Sequence, residues 1–189
     1  ETTYLKLRYV LEPLSCAYRV LPGNHDSPEL MPEVFGESGG RFVWRQGAWF
    51  LVGANSHLPG EIAGALADEE QNWISEQLER FPEAHKALFL HHPPVSVGNI
   101  FFDAVGLRDA EEIRAQWRRV AELRFVAFGH IHRPFEYQDG TIDYWAAPST
   151  THGYVGAKAL DVAPDLFGYR IFDLANDGYQ TSLRLLDAT

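Results

Sequence analysis

Residues 124–132 read Arg124-Phe125-Val126-Ala127-Phe128-Gly129-His130-Ile131-His132, an apolar run that stops at a glycine and two histidines one residue apart. A short apolar run bounded by a turn residue predicts a strand. The same grammar occurs twice more. Gly23-Asn24-His25-Asp26 follows residues 17–21, and His91-His92-Pro93-Pro94 follows residues 87–90. Three short strands are thus each expected to end in a loop that opens with Asn or His. In open α/β sheets, ligands bind just beyond the carboxyl ends of strands, so three such loops can converge on one point. Neutral imidazoles suit Zn, Fe, Co or Mn and bring no charge to be buried. Taken singly, a histidine beside an apolar strand is more often a satisfied core or surface residue. The order of the three loops carries the metal reading.

Outward from these loops, Leu7, Val10, Leu11 and Leu14 have helical spacing, which predicts a helix over 3–14, interrupted near Pro13 and packed on the sheet. Pro22-Gly23 marks a turn. Residues 42–44 and 49–52 flank Gln46-Gly47 and read as a hairpin. Asp68, with Gln71 three residues on, is expected to cap a helix over 68–81 whose stripe is Ile74, Leu78 and Phe81. A second helix is expected over 109–123, with Asp109 and Glu112 at its start. Its stripe is Ile113, Trp117 and Val120, and Arg118 and Arg119 suit the dipole near its end. After His132 the pattern turns to short strands at 135–138, 141–146, 168–174 and 179–186, with Asp139-Gly140 and Asp177-Gly178 as hairpin turns. Helices alternating with strands, then an antiparallel tail, predict an α/β domain with mixed sheets over residues 1–189.

Bulk properties narrow the function classes. The chain has 189 residues, 46% of them hydrophobic, enough for one domain with a substantial core. Its formal charge is −10, from 26 acids against 16 bases. No basic run is present, which argues against a nucleic-acid polymer as partner. The single cysteine, Cys16, excludes an internal disulfide, fits a reducing, cytoplasmic location, and reads as a buried structural thiol. No apolar run approaches the roughly 18 residues of a membrane span, and Glu1 opens no signal-like segment. There is no G-x-S-x-G, P-loop or Cys-x-x-Cys to support a serine hydrolase, an NTPase or a zinc finger.

The motifs GNHD, LHHPPV and FGHIH resemble the third, fourth and fifth motifs of the calcineurin-like metallophosphoesterases. Within that superfamily, Ser56-His57-Leu58-Pro59-Gly60-Glu61 followed by Gln71-Asn72-Trp73 is similar to the class III cyclic-nucleotide phosphodiesterases. So are residues 103–107 (DAVGL), 147–150 (APST) and Gly168-Tyr169-Arg170. The resemblance implies an αββα sandwich and two divalent metal ions (Fe, Mn, Zn or Co) side by side. Asn24, His91 and His130 would bind one ion and His132 the other. His25 would touch the phosphate or protonate the leaving oxygen, and Asn24 and His25 would both face substrate. The family's D-x-H and G-D-x-x-D motifs, which supply the remaining ligands including a bridging carboxylate, do not occur here. The resemblance therefore implies a domain lacking its N-terminal strands, with an unsatisfied edge at the strand ending at Leu21.

Several residues keep two readings. His92 is substrate-facing or packs beside Pro93; His57 and His152 border the cleft or lie on the surface; His85 is expected to be solvated. Asp26 reads as a turn residue that bonds backbone. Phe101 and Phe102 stack on a nucleobase or join the core. The expected activity is phosphodiester hydrolysis of a small molecule, with 3′,5′-cyclic AMP first. Glycerophosphodiesters or nucleotide–lipid diphosphates are the alternative substrates. An inactive fragment with residual metal binding is the alternative from another class, and a homo-oligomer is left open.

Overall fold

The computed structural model describes residues 2–158 and 160–186. Helices α1 (Thr2–Leu11) and α2 (Leu30–Phe35) lead through a 3-10 turn, Gly36–Ser38, to the hairpin strands β1 (Phe42–Gln46) and β2 (Trp49–Gly53). Then come α3 (Asp68–Glu79), β3 (His85–Leu90), α4 (Ile100–Ala104), α5 (Ala110–Trp117) and β4 (Leu123–Phe128). The chain continues with β5 (Phe135–Asp139), β6 (Ile142–Ala146), β7 (Gly153–Val155), β8 (Asp161–Ala163), β9 (Gly168–Ala175) and β10 (Gly178–Leu185).

Six strands form one mixed sheet in the order β1-β2-β3-β4-β6-β5. Strands β2, β3, β4 and β6 run parallel, while β1 and β5 close the edges antiparallel. Alternation along β3 divides the core between two faces. Leu88 and Leu90 face Ile74 and Leu78 of α3 and Ile113 and Trp117 of α5. Ala87, with Trp49, Phe125 and Ala127, faces Phe172, Leu174 and Tyr179 of the β9–β10 hairpin. There the rings of Phe125 and Phe172 stack at 4.5 Å. Helices, mixed sheet and the β9–β10 hairpin thus stack in that order, three of the layers that the expected αββα sandwich would have.

Several local expectations are corrected. Residues 17–21 form no strand of the sheet: Val20 makes one parallel bridge to Gly39, donating to Ser38 O and accepting from Gly40 N. The predicted 3–14 helix ends at Leu11 and buries no residue. Leu7, Val10 and Leu14 of the predicted stripe are solvent-facing, with Val10 64% exposed. Tyr4 and Leu11, seven apart and therefore on one face, pack instead against Met31, Val34 and Phe35 of α2. Neither predicted Asp cap is used. Ala67 precedes α3, and Asp109 sits in a left-handed conformation (φ 54°) without a side-chain cap bond. Gln71 instead donates to Leu66 O. The helix expected over 109–123 stops at Trp117, because residues 118–122 turn the chain back into β4. Cys16, expected to be buried, is exposed: the segment before Val20 has no sheet to cover it.

One buried group was not expected at all. Lys86, between His85 and Ala87 of β3, is fully buried, and its Nζ donates to Pro82 O, Ala84 O and Ala121 O at 2.8–3.3 Å. Three carbonyl partners satisfy an ammonium that burial alone would make costly. Burial holds its pKa below the usual lysine range.

Candidate functional site

Three loops meet at the carboxyl ends of β3 and β4. The Gly23–Asp26 turn is fixed by Asp26, whose Oδ2 accepts from Gly23 N at 2.8 Å while its own N–H donates to Gly23 O at 3.1 Å. That is the turn role read from the sequence. The other carboxylate oxygen accepts from Tyr4 Oη at 2.9 Å, and Ser27 N donates to the same Tyr4 oxygen. Helix α1 thus braces the turn that carries Asn24.

The turn brings Asn24 Oδ1 to 3.1 Å from His91 Nε2 and 3.2 Å from His130 Nδ1, and the two ring nitrogens lie 3.2 Å apart. Three lone-pair atoms from residues 24, 91 and 130 therefore make a nearly equilateral triangle. Ligand atoms bound at about 2.0–2.1 Å around one divalent ion are separated by roughly 3.0–3.4 Å. The donor set fits such an ion in both spacing and chemistry. Gly23 permits the approach, since a Cβ there would lie 2.7–2.9 Å from the His91 ring.

Backbone strain marks the loop after β4. His130 and His132 both have positive φ, 65° and 51°, a conformation that costs a non-glycine residue free energy and recurs at functional sites. Between them Ile131 is fully buried and anchors the turn in the core. Of the two imidazoles, that of His130 is buried and that of His132 half-buried. His132 does not join the triangle; its ring lies against Tyr154 at 5.3 Å and His152 at 4.8 Å, and its Nδ1 is buried without a hydrogen-bond partner. That unpartnered nitrogen is compatible with a second ion.

The histidines are held neutral. Burial first, then the neighbouring imidazoles, lowers His91 well below the usual range and His130 to about 3. Burial also lowers His132. Neutral rings keep a lone pair for a metal, as ligation requires.

His92 is a different case. A ligand atom of each of His91, His92 and His130 falls within 4.8 Å of the others. Both His92 nitrogens are nevertheless committed, Nδ1 to Ser56 Oγ at 2.9 Å and Nε2 to Ile62 O at 3.1 Å. The residue is fully buried, with a pKa pushed down to about 4 by burial. Both ring nitrogens are thus engaged within the protein, as the packing reading expects of it. Gly64 makes room for it, since a Cβ there would sit 2.3 Å from the ring.

His25 is exposed beside the triangle, close enough to disfavour protonation of His91, His130 and His132. His57 is half-buried, with Nδ1 lacking a partner, and lines a separate hollow of about 290 Å³ with Asn55, Leu58 and Glu70. His152 bonds Thr151 Oγ1 at 3.1 Å and Tyr154 Oη at 3.2 Å, and its ring lies 4.8 Å from that of His132. His85 pairs with Glu122 at 2.8 Å rather than standing solvated. Phe102 joins the core, one of the two readings given for the pair. Phe102 is buried against His130, with ring centroids 5.9 Å apart, and Phe101 is exposed. Sequence reasoning missed Tyr154, Ser56 and Tyr4. Ser56 lay within a quoted motif, but nothing in the pattern pointed to Tyr4.

A family model described as calcineurin-like phosphoesterase matches residues 2–134. The chain belongs to the calcineurin-like phosphoesterases. A 3′,5′-cyclic-nucleotide phosphodiesterase of Nostoc sp. is 30% identical over 183 residues, covering 95% of this chain and 69% of that protein. The 3′,5′-cyclic adenosine monophosphate phosphodiesterase CpdA of Pseudomonas aeruginosa is 30% identical over 184 residues, covering 93% of this chain and 65% of the relative. A probable glycerophosphodiester phosphodiesterase of Arcobacter nitrofigilis is 28% identical, covering 86% and 61%. The chain thus spans about two thirds of the length of these relatives. Among solved structures, GAP50, the anchor in the inner membrane complex of Plasmodium, superposes with a TM-score of 0.52 at 12% identity, covering 76% of this chain and 48% of that one. That likeness concerns the fold. Calcineurin-like phosphoesterases imply divalent metal, and the histidine cluster is compatible with it. Among the described residues, no helix is long and apolar enough to cross a membrane.

Proposed function

We propose that this chain carries the Asn/His half of a metal-dependent phosphodiesterase site acting on 3′,5′-cyclic nucleotides, with cyclic AMP as the expected substrate. The observation that carries the reading is the 3.1–3.2 Å triangle of Asn24 Oδ1, His91 Nε2 and His130 Nδ1. The two cyclic-nucleotide phosphodiesterases at 30% identity support the substrate class. A glycerophosphodiester is the second reading, supported by the Arcobacter relative.

Asn24, His91 and His130 would hold one divalent ion, and His132 would contribute to a second. Bound there, such ions supply positive charge for phosphate oxygens and lower the pKa of water. The chain's own residues do the rest. Burial keeps His91 and His130 unprotonated, so their lone pairs are free. The Asp26-pinned turn orients Asn24, and the strained Gly129–His132 turn orients both of its imidazoles. Phe102 and Tyr154 lie against His130 and His132 and would wall one side of the cleft. His25, exposed beside the cluster, would hydrogen-bond the phosphate or hand a proton to the departing ribose oxygen.

The test is turnover by the full-length, metal-loaded protein on cyclic AMP, glycerophosphocholine and bis(p-nitrophenyl) phosphate. Preference for cyclic AMP supports the first reading, and preference for glycerophosphocholine supports the second. Activity on none of the three, with metal bound, overturns both.

A further inference from the structure

The wall beside the histidines has two layers. The inner layer is Phe102 and Tyr154, whose rings lie 5.9 Å apart and touch His130 and His132 at 5.9 and 5.3 Å. The outer layer is apolar yet exposed. Ile100 is 66% exposed, Phe101 40% and Val155 44%, and the Phe101 ring meets the Phe102 ring at 5.6 Å. These residues belong to two segments tied together. Ile100 N donates to Ala157 O at 3.1 Å, and Asn99 Nδ2 donates to Gly156 O at 3.0 Å. Arg133 donates to both Val97 O (2.6 Å) and Gly156 O (3.4 Å). Asn99 Oδ1 also caps α4, accepting from Phe101 N and Phe102 N. The lip is therefore tied down by hydrogen bonds although it is exposed. Core packing explains Phe102 and Tyr154; it does not explain an aromatic ring held outward one ring beyond the donor triangle.

We propose that Phe101, on the lip that also carries Ile100 and Val155, is the subsite for the planar base of the nucleotide whose phosphate lies at the histidine cluster. This rests on the cyclic-nucleotide reading above. A base is joined to its phosphate through one ribose, and a lip one ring removed from His130 suits that reach. Stacking on an aromatic side chain tolerates any base, because each has a π-face. Stacking by itself reads no base edge, so the subsite recognises a flat ring rather than adenine in particular. A glycerol moiety has no flat face to bury there.

The experiment compares cyclic AMP with ribose 3′,5′-cyclic phosphate, which has the same reacting phosphate and no base. Both are assayed with the full-length, metal-loaded protein and with its Phe101→Ala and Phe101→Trp variants. Binding of a hydrolysis-resistant phosphorothioate analogue of cyclic AMP is measured by calorimetry alongside. Wild type is expected to show the lower KM for cyclic AMP. In Phe101→Ala that preference falls about tenfold, within the strength of base–aromatic stacking, the loss appears in KM rather than kcat, and analogue affinity falls in parallel. Phe101→Trp restores it. Equal KM values for the two substrates in wild type, or a Phe101→Ala effect of the same size on both, overturns the base subsite and leaves the phosphodiesterase reading intact. Failure of wild type to hydrolyse either compound overturns that reading and the subsite with it.

Discussion

His91 Nε2 and His130 Nδ1 lie 3.2 Å apart although 39 residues separate them in the chain. They come from the ends of β3 and β4, neighbouring parallel strands whose register pairs Leu90 with Phe128. Each histidine loop therefore leaves the sheet at the same level, and the ring contact follows from strand register. Two neutral imidazole nitrogens at this distance, with an amide oxygen equally close to both, form a set that a cation would pull together.

Substituting one corner should therefore weaken metal binding. His130→Ala or Asn24→Ala is expected to reduce affinity for Mn2+ or Co2+ at least as much as the loss of a residue that merely supports a ligand, about 10–100-fold. Equilibrium dialysis measures this. Undiminished affinity in both variants would remove the triangle from consideration as a metal site.

His25 is placed at the rim, outside the triangle. His25→Ala should leave metal content unchanged and lower turnover of cyclic AMP by about 10²–10⁴, the range for loss of a general acid. Substrates that release p-nitrophenolate need no proton and should be affected far less. Equal losses on both kinds of substrate would assign His25 to phosphate positioning instead.

Acid should destabilise the metal-free chain through His92. Its pKa is about 4 in the folded protein against 6.5 for a free histidine, so between those values the unfolded state binds more protons. The stabilisation is complete above about pH 6.5 and is lost as pH falls toward 4, amounting to about 3 kcal/mol at the acid end. His130, lowered to about 3, acts in the same direction. Urea unfolding at pH 7 and pH 4.5 measures the difference, and stability that is flat across that window contradicts the burial argument.

Gly23→Ala tests the seat of His91. A Cβ at 2.7–2.9 Å from the imidazole must push the ring or the turn aside. Misplacement of a site group by about 1 Å can cost on the order of 10²-fold in rate, so activity should drop steeply while circular dichroism stays unchanged. A fully active, fully loaded variant would mean that the turn absorbs the methyl group without moving Asn24 or His91.

Much of the site could be read from the chain because strand-ending loops leave a local signature. An apolar run followed by Gly-His-Ile-His or His-His-Pro-Pro announces both a strand end and a donor, and β3 and β4 formed where those runs lie. The helix over residues 68–79 was equally legible, since Ile74 and Leu78 fall on one face. The run at 17–21 misled for the opposite reason: it holds Arg19 in its middle, and a strand exists only where a partner edge receives it. Nothing local could tell that Val20 would meet Gly39. Helix α1 misled similarly, because the period of Leu7, Val10, Leu11 and Leu14 predicts a helix but not which face will find a partner.

The sequence by itself determined the α/β class and the calcineurin-like motifs, and it singled out Asn24, His25, His91, His130 and His132 as candidates. Each of these depends on residue type and on spacing over a few positions. Tertiary structure alone decided how the histidines divide. His91 and His130 share a point with Asn24, His132 turns toward Tyr154 and His152, and His92, adjacent to His91, is locked to Ser56 and Ile62. Neighbouring residues at a strand end point to opposite sides, and which side holds the cleft depends on the register of strands distant in the chain. Lys86 makes the same point from within the core. Its place in β3 reads as a surface lysine until the three carbonyls that surround it are brought there by the ends of two other segments.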